Sequence, residues 1–336
     1  MITRRGALTG ILAAGLGTAL AGCTRKDSSP TSTIVDGDLI TIGLTYIPNI
    51  QFSPFYVATK ERMFDAENVR VELRHHGQQE EVFGALLKGK EQVVFASADE
   101  AMVAASTKKG VKGQSLATFA TAYQTYPIEV MGLKPAADLS ALKGASLGIP
   151  GHYGSSYYAA LAAIHQAGLT EKDVTLVDIG YTQLTALTTG KVDFIMGFRN
   201  NELVQLKAQG TKVTSLPISD ASSPQLVGPS LVDRSDSGPD KSVLARIATV
   251  MQKAEEAIVA DPQIALDATA EHVPALADKK QQQAARGVLE STMEMWKKSG
   301  KPSVAVDQKA FTRMGKFLQR AGVIEEPPAN PVLSLL

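Results

Sequence analysis

The chain is poor in reactive and aromatic side chains. It has one cysteine and one tryptophan, and aromatics make up 6% of its 336 residues. A lone cysteine excludes an internal disulfide, a multi-cysteine zinc site and a dithiol redox pair. Excess charge is missing as well. Its 34 basic residues face 34 acidic ones, so no bulk field draws the chain to nucleic acid or anionic lipid. After the N-terminal segment, no hydrophobic stretch approaches the roughly 20 residues that span a bilayer. The zinc-protease spelling H-E-x-x-H and the phosphate loop G-x-x-x-x-G-K-[ST] do not occur.

What is present begins with a targeting pattern. Arg4 and Arg5 precede an apolar run from Ala7 to Leu20, and small residues follow. Residues 1–22 are therefore expected to form a signal peptide. Leu20-Ala21-Gly22-Cys23 resembles the bacterial lipobox, whose cysteine thiol takes diacylglycerol before cleavage on its N-terminal side. Cys23 is thus expected to be the lipidation site, holding an exported chain on the outer face of the cell membrane. An ordinary signal peptide beside a chance cysteine is the alternative. Thr3 to Leu8 partly resembles a twin-arginine signal, with Ala7 where a large apolar residue is usual. Residues 23–38, rich in Ser, Thr, Asp and Pro, read as a tether.

From Leu39 the apolar pattern alternates between strand and helix. Ile40, Ile42 and Leu44 define a strand of period two, and Val69, Val71 and Leu73 define another. Helices are expected at Phe55–Phe64, Gln79–Lys88 and Glu100–Lys109, with strands at Gln92–Ala96, Leu116–Ala120 and Ile128–Leu133. A second round follows: strands Ser146–Ile149, Val174–Val177 and Val192–Met196, helices Ser155–Ala167 and Glu202–Gln209, and a short helix after Thr182. Such alternation predicts an α/β protein with parallel sheets covered by helices. After Leu226–Val232, helices dominate. Asp240, Asp261 and Asp307 are placed as N-caps, Pro262 as a first helical residue and Gly322 just past a helix end. His75-His76 reads as a solvated strand end rather than a metal pair.

Gly43 to Ala58, reading GLTYIPNIQFSPFYVA, resembles the first strand and ligand loop of ABC-importer substrate-binding proteins. The particular group is the thiamine-pyrimidine synthase/binding-protein superfamily (NMT1/THI5-like). Ser97-Ala98-Asp99-Glu100, Tyr123-Gln124-Thr125-Tyr126-Pro127, Gly151-His152-Tyr153-Gly154-Ser155-Ser156 and Asn200-Asn201-Glu202 match it in order. The resemblance implies a two-lobed periplasmic-binding-protein-like fold of type II, with ligand held between the lobes. Residues 39–130 and 228–336 are expected in lobe one, and residues 131–227 in lobe two. Strands would cross near Tyr126–Leu133 and Gln225–Val232.

The matched segments follow predicted strands, where open α/β sheets bind ligands. Tyr46, Phe52, Tyr56, Tyr123, Tyr126, Tyr153, Tyr157 and Tyr181 lie in or beside them, offering flat rings for a planar heterocycle. Core packing is the alternative role for about half of them. Asn49, Gln51, Asp99, Glu100, Gln124, Gln183, Asn200, Asn201 and Glu202 could read donors and acceptors on a ring edge. Asp99 and Glu100 also sit where a helix start stabilises carboxylates in any case. Gly151, Tyr153, Gly154, Ser155 and Ser156 precede a helix whose free N–H groups could hold an anion or a ring carbonyl. Relatives carry an aromatic and a small residue before Asn-Asn-Glu-Pro. This chain has Phe198-Arg199 before the motif and Leu203 after it, so Arg199 either adds a cationic donor or is solvated.

The expected function is capture of a small aromatic heterocycle for an ABC permease and its ATPase. Riboflavin or another flavin is placed first and a thiamine-precursor pyrimidine second. Taurine, alkanesulfonate or nitrate binding is the alternative, needing a more cationic cleft. Some relatives make the thiamine pyrimidine with pyridoxal phosphate, a cofactor that an exported chain does not meet. No catalytic residue, cofactor, metal or nucleic-acid partner is expected, and the protein is expected to be a monomer.

Overall fold

The computed structural model describes residues 37–77, 80–107, 112–218 and 225–335. The signal-peptide and Cys23 expectations lie outside the described residues.

The first half runs β1 (Leu39–Leu44), α1 (Ser53–Lys60), α2 (Met63–Ala66), β2 (Arg70–His75), α3 (Gly84–Leu87), β3 (Val93–Ser97), α4 (Ala98–Ala105) and β4 (Leu116–Thr121). Next come β5 (Ile128–Gly132), β6 (Ser146–Ile149), α5 (Gly154–Gln166), β7 (Thr175–Asp178), α6 (Gln183–Thr188), β8 (Phe194–Phe198), α7 (Glu202–Ala208) and β9 (Thr214–Pro217). The chain ends with β10 (Pro229–Arg234), α8 (Lys241–Ala260), α9 (Pro262–Ala270), α10 (Lys279–Trp296), a hairpin of β11 (Lys297–Lys298) and β12 (Lys301–Pro302), and α11 (Gln308–Arg320).

The long strands form two sheets, in the orders β2-β1-β3-β10-β4 and β7-β6-β8-β5-β9. The protein therefore has the two-lobed, helix-covered α/β architecture that its segments imply. The sheets are mixed, however, not parallel. β1 runs parallel to β2 and β3, and β6 to β7 and β8, but β10 is antiparallel to β3 and β4, and β5 to β8 and β9. The cause is connectivity. Each odd strand arrives from the other sheet rather than through a right-handed helical crossover, so it enters from the opposite end. The chain passes from the first sheet to the second between β4 and β5 and returns between β9 and β10. Position 130/131, the expected lobe boundary, falls inside β5, which pairs wholly within the second sheet.

Alternation explains β1, where Ile40, Ile42 and Leu44 are buried. All but the last residue of β3 is buried, because helices cover both faces of the inner strands. Helices α1, α8, α9 and α10 share a core with the first sheet, built around Phe55, Tyr56 and Trp296. The second core joins α5 and the second sheet to α11 through Phe311, Met314 and Phe317, and also takes Ala98 and Met102 of α4. Among the described residues, no helix is long and apolar enough to cross a membrane.

Two local expectations need correction, and the N-cap placements hold with one difference in bonding. The Gln79–Lys88 helix shrinks to Gly84–Leu87, because Glu80 is drawn back to Arg74, whose Nη2 lies 2.7 and 2.9 Å from its oxygens. Asp240 occupies an N-cap position without a side-chain cap bond, whereas Asp261 and Asp307 accept backbone N–H groups. His75-His76 is not a solvated end. His76 is buried and sits 2.9 Å from Glu91 Oε1, and His75 lies between Tyr56 Oη and the Tyr46 carbonyl, 2.8 Å from each. Gly43 gives the buried Glu91 carboxyl its space, since a Cβ there would lie 2.4 Å from it.

Candidate functional site

The segments after the parallel strands of the two sheets meet, and so do the sequence-matched residues they carry. Ser155, at the start of α5, donates from Oγ to Asp99 Oδ1 at 2.6 Å, and Tyr126 Oη donates to Asp99 Oδ2 at 2.8 Å. Asp99 begins α4 in the first sheet's half, so this cluster ties the strand ends of the two sheets together. A second contact lies at α7 and α10. Asn200 is fully buried and donates from Nδ2 to Thr292 Oγ1 at 3.0 Å, and the Tyr123 hydroxyl lies beside both.

Between the two contacts stand the open aromatics. Tyr153 and Tyr181 are 59% and 55% exposed, a high value for such large side chains, and their hydroxyls lie close enough to act on each other. Tyr46 and Glu100 are partly exposed, and both lie near enough to Tyr181 to act on its hydroxyl electrostatically. The Tyr153 ring lies over Gly151, where a larger residue would push the ring aside. Gly154 has φ +69 and faces the Glu100 carboxyl. Tyr46 is held from behind, because His75 binds its carbonyl and is itself bound to Tyr56. Burial, with His272 and His76 nearby, lowers the His75 pKa.

Other matched residues are turned to structural partners. Phe52 and Tyr56 are in the first core, and Tyr56 stacks on His272 at 4.1 Å. Asn49 caps the turn Ile50–Phe52 by accepting the Gln51 N–H at 3.1 Å. Gln124 donates to the carbonyls of Thr121 and Ser303. Glu202 accepts the Phe198 N–H and the Asn201 amide, and Asn201 accepts from Gln205. Arg199 is neither free in the cleft nor fully solvated: its Nε lies 3.8 Å from Glu129 Oε1 on β5. Gln183 and Ser156 are half-buried at the starts of α6 and α5.

Two polar residues from the helical end were missed in the sequence. Thr292 takes Asn200, and Glu255 lies buried near Tyr123, with neither carboxyl oxygen hydrogen-bonded. Burial raises the Glu255 pKa well above the usual carboxylate range. Both sit on the buried faces of amphipathic helices, where periodicity alone predicts core residues. The nucleophile-elbow spelling G-x-S-x-G does occur once, at Gly144–Gly148. Ser146 there opens strand β6 and bonds to Asp193, so it lacks the strand-to-helix turn that the chemistry needs. A separate cavity of about 440 Å³ borders the crossing segments, between Tyr126, Gly228, Lys298 and Phe311.

Two mixed sheets linked by two crossings, with open side chains at the apposed strand ends, define a fold of the periplasmic-binding-protein type. The chain belongs to the NMT1/THI5-like family, whose profile matches residues 49–265. It is 30% identical over 299 residues to the riboflavin-binding protein RibY of Chloroflexus aurantiacus, covering 86% of this chain and 82% of that protein. Among solved structures, the periplasmic aliphatic sulphonate binding protein SsuA of Escherichia coli is similar with a TM-score of 0.64 at 13% identity, covering 86% of this chain and 89% of its own. The desulfurization enzyme DSZB is similar at 0.54 and 13% identity, over 87% and 94% of the two chains. At such identities the likeness is one of fold, and this fold carries both binders and an enzyme.

Proposed function

We propose that the protein captures a flavin, with riboflavin the first candidate, and delivers it to an ABC permease. The observation that carries this reading is the exposed tyrosine wall, Tyr153 and Tyr181 with Tyr46 nearby, in a chain 30% identical to a riboflavin-binding protein. Exposed rings cost burial energy until a planar partner covers them, and stacking adds about 0.5–1.5 kcal/mol per pair. Lobe closure about the two crossing segments would bury the ligand and present one closed surface to the permease. The lipobox-like Cys23 supports an exported, lipid-anchored receptor held beside that permease. Sulfonate or nitrate binding has less support, because Arg199 already shares its charge with Glu129.

Thermal unfolding with riboflavin, a thiamine-precursor pyrimidine or taurine tests the reading. The true ligand at a hundred times its Kd adds about 2.7 kcal/mol. A shift with riboflavin that Tyr153→Ala reduces and Lys298→Ala keeps in full locates binding at the tyrosine wall rather than the crossing cavity. A shift with taurine and none with riboflavin would refute flavin capture.

A further inference from the structure

We propose that Glu100 stands in the cleft as an uncharged carboxylic acid and donates the hydrogen bond that selects an uncharged, acceptor-bearing ring. The proposal rests on the reading of the tyrosine-walled cleft as the ligand site. It begins with the unequal treatment of two adjacent carboxyl groups. Asp99 is completely buried, and its oxygens accept three hydrogen bonds: Ser155 Oγ at 2.6 Å, the Glu100 N–H at 2.7 Å and Tyr126 Oη at 2.8 Å. Every one of these donors stabilises a charged carboxylate. Among the described residues Glu100 receives no side-chain donor, and only the backbone at Ser155 and Ser97 favours its charged form.

Two carboxylates side by side in a low-dielectric setting cannot both ionise cheaply, so one keeps a proton. The proton goes to the group with fewer donors, which is Glu100. Burial and the neighbouring Asp99 charge both push its pKa up. Asp99 lies on its own helix, and Tyr126 before β5, Tyr158 of α5 and Tyr181 after β7 face it from the elements around. Asp99 is the charge that acts on Glu100, and it opposes ionisation.

The position suits a ligand contact. Glu100 is partly exposed at the start of α4, and its Oε1 lies 3.0 Å from where a Gly154 Cβ would stand. The carboxyl therefore occupies the mouth of α5, the place where a helix N-terminus would otherwise favour an anion. An O–H there pairs with a ring carbonyl or an unprotonated ring nitrogen. A sulfonate or carboxylate would instead meet the Asp99 charge directly behind.

Infrared spectra of the ligand-free full chain and of Glu100→Gln at neutral pH test the protonation directly. Glu255 gives a protonated-carboxyl band to both proteins, so the wild-type-minus-variant difference spectrum is the readout. A protonated-carboxyl component present in the wild type and missing from the variant is expected; a difference spectrum without it overturns the proposal. Riboflavin titrations from about pH 6 to about pH 9 test the donor role. Wild-type affinity should fall up to about tenfold per pH unit once Glu100 ionises. Glu100→Gln should bind a few-fold more weakly at low pH with a flat profile, because its amide still donates. A flat wild-type profile overturns the proposal. Failure to bind riboflavin at any pH overturns the flavin reading instead, and the infrared band then decides the state of Glu100 by itself.

Discussion

At the scale of single residues, exposure separates roles that the sequence leaves mixed. Tyr153 is open and braces no core, so Tyr153→Ala is expected to weaken riboflavin binding about 2- to 13-fold while leaving the unfolding midpoint nearly unchanged. Fluorescence titration and denaturant melts read the two quantities separately. Glu255 makes the opposite kind of prediction. Its raised pKa means that the folded state keeps a proton the unfolded chain releases. Stability should therefore fall as pH rises above the ordinary glutamate value of about 4.3. Glu255→Gln should remove that fall, so urea melts of the variant and wild type should diverge more at alkaline than at acid pH. The tyrosines were legible as a set because the matched loops follow strands. Which ones turn inward was not. In a loop neither the period of two nor that of 3.6 applies, and Tyr56 and Phe52 pack on His75, a contact between distant segments.

Among the elements, strand and helix positions were largely readable because burial imposes its period on β1, α8 and α11. Strand direction was not, since β5 and β10 look locally like any other apolar strand and only their long connections make them antiparallel. The α7–α10 contact was equally hidden. It rests on Asn200 and Thr292, which are 92 residues apart. Thr292→Val would leave the Asn200 amide short of a buried partner. A loss of about 1–3 kcal/mol is expected in denaturant unfolding. Because the contact joins the two halves, ligand affinity should fall as well; unchanged affinity would mean that the contact plays no part in closure.

For the molecule as a whole, the two crossings and the N-terminal lipobox-like segment make separable predictions. If Cys23 carries lipid, Cys23→Ser should move the protein from the membrane fraction to the soluble fraction without altering ligand binding by the purified body. Persistence in the membrane fraction would rule out that anchor. Riboflavin should shrink the radius of gyration measured by small-angle scattering as the halves close about the crossings.

Trp296, the single tryptophan of the chain, is wholly buried at the end of α10. The carbonyl of its neighbour Met295 accepts the N–H groups of Gln124 and Thr125, on the first crossing segment. The molecule thus carries one native optical gauge fixed against a segment that crosses between its two sheets. Its emission can be followed in the unlabelled protein, turning a movement of the whole chain into the signal of a single ring.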